Sequence, residues 1–250
     1  MPHRTATLVA ATTLGLACVT TGGALAAHAN VTTPADATTS STMTQSAKKP
    51  KATTVIRLAP FQADGSLKKG WRTHLVRSAD PIDCSYDTGS VSAVNGGTHS
   101  CGSTADAAGD CWSSPKYRHQ ILCLESAWSK TLTRRKAVNV PATTKKPKLP
   151  QPLALQLSDG TRWSLRTGGA WGGRADGLVG YYGCESKACS EKETGKFLAV
   201  VAKPDSHAVN RSKAAWTVRV GELGSVEKSY PAPKKYTVTK AWFIKNTVKR

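Results

Sequence analysis

Sulfur constrains this chain more than any other feature. Of seven cysteines, Cys18 falls inside an N-terminal stretch with the marks of an export signal, and six remain: Cys84, Cys101, Cys111, Cys123, Cys184 and Cys189. An even set in an exported chain points to three disulfides. Zinc is the competing use of such a set. It would need two close cysteine pairs with tetrahedral reach, and only Cys184 and Cys189 lie close together. That pair is expected to close on itself around the short polar loop between them. For the other four several pairings satisfy the count, and nearest-neighbour pairing, Cys84 with Cys101 and Cys111 with Cys123, is the expectation. Each such bridge contributes about 3 kcal/mol when its effect is counted as lost chain entropy.

Export is read from residues 1–29. A basic start (His3, Arg4) precedes an uncharged run from Thr5 to Ala27, followed by small-x-small cleavage sites at Ala24-Leu25-Ala26 and Ala27-His28-Ala29. The second site is preferred because the chain turns polar after Asn30. Thr12, Thr13, Thr20, Thr21, Gly22 and Gly23 dilute the run too far for a membrane span, and no other transmembrane segment is expected. The protein is therefore expected to be secreted. The alternative is a lipid anchor at Cys18, which would hold it on the outer face of the membrane.

Residues 30–54 are mostly Thr, Ser, Ala, Pro and Lys. Such a stretch buries too little to offset its ordering entropy, so it reads as a flexible leader. Residues 141–152 carry four Pro with Lys145, Lys146 and Lys148 and read as a stiff connector. They separate a half with four cysteines, 55–140, from a half with two, 153–250.

Periodicity favours strands. Trp163-Ser164-Leu165, Trp216 to Val220 and Tyr236 to Thr239 alternate at period two, while Gln120 to Leu124 and Phe197 to Val201 read as more buried strands. Lys130 to Val138 is the one stretch outside the leader that could form a short helix. The expected fold is all-β, sandwich or barrel-like and disulfide-stabilised. The halves echo one another: Asp64-Gly65-Ser66 before Trp71 matches Asp159-Gly160-Thr161 before Trp163, and Ala127-Trp128-Ser129 matches Ala215-Trp216-Thr217. A degenerate duplication into two similar halves would explain this, but chance likeness between β-rich halves is preferred.

Chemistry is harder to read. The glycine-rich run from Thr167 to Gly177 has the makings of a ligand loop, with Trp171 to stack and Arg174 and Asp176 to hydrogen-bond. The favoured alternative is a tightly turned loop with Trp171 folded back onto the core. Seven Trp against three Phe imply that most indoles supply core volume rather than a sugar platform. Nucleophile-elbow and H-E-x-x-H motifs are absent, and no cofactor motif is present. A Ser/His/Asp triad is recognised by geometry rather than order. His99, within His99-Ser100-Cys101-Gly102-Ser103, is the one His beside candidate nucleophiles, and a disulfide-bound turn is its preferred reading. Asp80 with Asp83, and Asp106 with Asp110, are carboxylate pairs of no assignable role.

Charge is the quantitative anomaly. The net charge is +19, and two stretches free of acid carry much of it, one between Glu125 and Asp159 and one after Glu227. Such fields attract polyanions. No dedicated nucleic-acid motif accompanies them, because the basic stretches lack interleaved aromatics. Anionic polymers of the cell wall or matrix are the expected partners. These features describe a secreted, non-catalytic binding or interaction protein of the cell envelope. A hydrolase with unrecognised catalytic residues, and an inhibitor or effector acting on a protein partner, are the rivals.

The Ala-, Thr- and Gly-rich leader, the Lys-over-acid balance and two stretches carry a resemblance. Cys111-Trp112 through Ile121-Leu122-Cys123-Leu124, and Trp163-Ser164-Leu165-Arg166 through Trp171-Gly172-Gly173-Arg174, resemble uncharacterised secreted proteins of actinobacteria. The resemblance spans about a third of the chain. It implies export and no particular activity.

Overall fold

The computed structural model describes residues 50–76, 80–102 and 108–249. The export leader, Cys18, Asp106 and most of residues 30–54 lie outside the described residues. The regular structure is almost entirely β, and three disulfides cross-link the chain: Cys84–Cys101, Cys111–Cys123 and Cys184–Cys189. The nearest-neighbour pairing is the one observed.

Residues beyond the connector form a closed barrel. Strands β8 (Ala154–Leu157), β9 (Arg162–Leu165), β10 (Val179–Cys184), β11 (Leu198–Ala202), β12 (Thr217–Glu222) and β13 (Lys234–Ile244) pair antiparallel in chain order, and β13 returns to β8. Closure removes the free edges that an open sheet of this size would expose. The first hairpin turns where Asp159-Gly160 predicts, the Asp159 carboxylate accepting from the Thr161 N–H and hydroxyl. Inside lie Leu155, Leu157, Trp163, Tyr182, Val200, Val218, Val238 and Phe243. The long strand β13 outruns β12, which pairs with it only as far as Thr237. The edge left free beyond that point takes β1 (Thr54–Leu58) in parallel.

Residues before the connector form an open sheet. Its order is β2 (Arg72–Leu75), β7 (Thr131–Val138), β6 (Gln120–Leu124), β5 (Ala108–Trp112), β4 (Thr98–Cys101), with β3 (Ile82–Asp83) on β7 beyond β2. The possible helix over Lys130 to Val138 is thus a central strand. Thr131, Thr133 and Val138 suit a pleated surface, and β7 has a hydrogen-bonded neighbour on each edge, which outweighs any local helical preference. The two sheets differ in strand order and closure, so the echoed sequence features do not correspond to a repeated topology.

Both faces of the open sheet are buried at its central strands β5 and β6. Alternation places Trp112 and Leu122 on one face with Phe61, Leu153, Ala154 and Trp242, and Cys111, Ile121 and Cys123 on the other with Cys84, Cys101 and Ala137. Cys111 and Cys123 are directly opposed in neighbouring antiparallel strands, so their bridge staples β5 to β6. After β13 the chain continues across this sheet. Asn246 and Asn95 exchange hydrogen bonds at 2.8 and 2.9 Å, the Trp112 indole donates to the Lys245 carbonyl, and the Lys249 N–H donates to Ala63.

Candidate functional site

The C-terminal segment ends at a cleft of about 790 Å³ on the open sheet. The loop after β5 supplies Ser113, Tyr117, Arg118 and His119, the start of β6 supplies Gln120, the end of β7 and the residues beyond it supply 137–142, and Lys249 completes the wall. Among the described residues that line it, none is Asp or Glu. Arg118, His119 and Lys249 are exposed. Of the two acid-free stretches, the first lends the lining only the uncharged residues 137–142 and the second only Lys249, while Arg118 and His119 precede both. Gln120 adds a buried Oε1 with no hydrogen-bond partner among the described residues. His119 (φ 57°) and Asn139 (φ 55°) both hold left-handed backbone at the rim. Such conformations are uncommon for residues other than glycine and cluster at turns and ligand sites.

Behind Ser113 lies a polar relay. In the β4–β5 pairing His99 stands opposite Cys111, so Ser113, two residues beyond Cys111, continues on the same face and diagonal to His99. His99 Nε2 is 3.0 Å from Ser113 Oγ. On the other side of the ring, Nδ1 is 2.5 Å from Asp87 Oδ2. Asp87 belongs to the turn after β3, where its N–H donates to the Cys84 carbonyl. Its Oδ1 accepts from the Gly89 and Ser100 N–H groups at 2.7 and 2.8 Å. The imidazole and the Asp87 side chain are fully buried, whereas Ser113 reaches the cleft. The Cys84–Cys101 bridge holds this arrangement in register, since Asp87 and His99 flank its two ends.

The residues singled out in the glycine-rich run are placed elsewhere, on the barrel. Arg174 is buried, its guanidinium forking onto Asp176 at 2.8 and 2.9 Å. It also donates to the Glu222 and Pro231 carbonyls at 2.8 and 3.0 Å and lies over the Tyr230 ring. Asp176 is held below the usual carboxylate range by the hydrogen bonds it accepts from Arg174. Trp171 folds back against the barrel wall. It meets Phe197 edge-on at 5.6 Å, and a methyl group at Gly183 would come within 2.9 Å of it. Arg166 also lies over it, 5.3 Å from the ring. The same covering recurs at Trp128 under Arg162 and Trp216 under Arg211. Trp112, Trp163 and Trp242 are buried.

Of the carboxylates noted in the sequence, Asp83 caps its own turn. Ser85 and Asn139 donate to it and hold it below the usual range, the Asn139 amide most strongly. Asp110 accepts from the Ser90 hydroxyl, and burial pushes its carboxyl above the ordinary value.

His99 is legible in the sequence, and its side-chain partners among the described residues are Asp87 and Ser113; Ser103 lies outside the described residues. Asp87 and Ser113 are reached through strand register and a disulfide. The pairing of Cys84 with Cys101 is the one sequence signal that brings Asp87 towards His99. Comparison with protein-family models, curated proteins and solved structures finds no match.

Proposed function

We propose that the protein is exported and binds an anionic polymer of the cell wall or its surrounding matrix, taking the anionic groups in the cleft walled by Arg118, His119 and Lys249. The observation that carries this reading is that Arg118, His119 and Lys249, far apart along the chain, line one cleft whose described lining has no carboxylate. Cations gathered on a concave surface raise the local concentration of anions more than the same charges spread over a convex one. The unpartnered Gln120 Oε1 offers an acceptor for a hydroxyl of such a polymer. Export is supported by the leader sequence and by three disulfides, which persist in oxidising compartments. The arginines over Trp128, Trp171 and Trp216 argue against a neutral-sugar platform at these indoles, because each already has a guanidinium against its ring.

Binding of the chain from residue 30 onward to polyphosphate, with neutral dextran as control, tests the reading. Affinity for polyphosphate is expected to fall steeply with added salt and about tenfold in the Arg118→Ala/Lys249→Ala variant. Equal retention on dextran, or a double variant that binds as tightly as the parent, would refute it.

A further inference from the structure

The cleft has a property that binding does not use. Ser113 on its wall, His99 behind it and Asp87 behind His99 form a continuous relay with contacts of 3.0 and 2.5 Å. We propose that Ser113 is a nucleophile activated by His99 and oriented through Asp87, and that the cleft hydrolyses a carboxylic ester whose acyl part carries an anionic group. The anionic preference rests on the binding reading above; the nucleophile does not.

The roles follow from which atoms meet. Gly89 and Ser100 hold Asp87 Oδ1, which leaves Oδ2 to accept from Nδ1 and fixes the ring with its lone pair at Nε2. Nε2 faces Ser113 Oγ, the arrangement a hydroxyl needs to lose its proton as it attacks. In the first step Ser113 Oγ bonds to the ester carbonyl carbon and its proton passes to Nε2. Collapse of the tetrahedral adduct breaks the carbon–oxygen bond to the alcohol, which leaves with the proton from Nε2. In the second step water adds to the acyl carbon and gives a proton to Nε2. The carbon–Oγ bond breaks, the acid departs and the proton returns to Ser113. The balance is ester plus water to acid plus alcohol, with no oxidant or metal required. Because the ring is fully buried, both transfers run along its Ser113 side.

The test is covalent labelling of the disulfide-intact chain with an uncharged fluorophosphonate, read by intact mass and peptide mapping. It is combined with hydrolysis of 4-nitrophenyl acetate and mono-4-nitrophenyl succinate. One adduct on Ser113 is expected, absent from Ser113→Ala, with ester hydrolysis at least about a hundredfold lower in Ser113→Ala and in His99→Gln. The succinate ester should be cleaved faster than the acetate, and the difference should shrink with salt. Circular dichroism identifies whether His99→Gln has unfolded, and Ser113→Ala carries the test if it has. Failure to label Ser113 in the folded parent, or equal hydrolysis by the parent and Ser113→Ala, overturns the inference whatever the polyphosphate result. Labelling without a preference for succinate removes only the anionic part, and labelling without polyphosphate binding leaves the nucleophile standing and the binding reading overturned.

Discussion

Arg174 spends every direction of its guanidinium inside the fold, on Asp176, Glu222, Pro231 and the Tyr230 ring. Replacing it with Met should therefore cost stability, about 2 kcal/mol, because the Glu222 and Pro231 carbonyls and the Asp176 carboxylate all lose the buried guanidinium that donates to them. Urea unfolding measures this, and unchanged stability would mean that these contacts do not persist in solution. Asp110 behaves in the opposite sense. Burial raises its carboxyl above 3.8, so the folded chain holds a proton that the unfolded chain releases. Its favourable contribution is complete below 3.8 and is lost as pH rises through the raised value. Asp110→Asn keeps the shape without the proton. Above the raised value it should be the more stable form, by on the order of 1 kcal/mol for each unit of the shift, with a flatter melting-temperature profile as pH rises from 3.8. A parent and variant with parallel profiles would contradict this. These roles were not legible in the sequence: Arg174 and Asp176 sit where a ligand loop would want them, and only the carbonyls of residues 222 and 231 show what they serve.

At the scale of elements, glycines let the run after β9 lie on the barrel. At Gly172 the backbone is left-handed (φ 68°), and a Cβ would stand 2.1 Å from the Gly224 carbonyl oxygen. Gly172→Ala should therefore force the loop off the segment after β12. Gly183→Ala should lift Trp171 by crowding it from beneath, at a cost of about 1–3 kcal/mol. A red shift of Trp171 emission on the Gly183→Ala background would report the lifting, and unchanged emission and stability would count against the packing. Strands were the most legible part of the sequence, because alternation and Asp-Gly turns act locally. Lys130 to Val138 was not legible, since its fate depends on two strands supplied from elsewhere in the chain. The relay was hidden for the same reason. His99 and Ser113 are neighbours only through the pairing of β4 with β5.

Over the whole molecule, the barrel closes itself by hydrogen bonds, and two of the three disulfides lie in the open sheet. Removing Cys111–Cys123 by paired substitution with Ala should cost about 3 kcal/mol. Because that bridge also fixes the β5 strand that leads into Ser113, it should weaken polyphosphate binding along with stability. Charge and sulfur were readable as totals, but the convergence of Lys249 with Arg118 and His119 on one cleft follows from the path of the C-terminal segment across the sheet. The most direct test of that convergence is a backbone NMR titration of the folded chain with short polyphosphate. The account predicts shift changes centred on residues 113–120, 137–142 and Lys249, fading as salt is added. Changes centred instead on the glycine-rich run 167–177, or spread evenly over every exposed lysine, would contradict it.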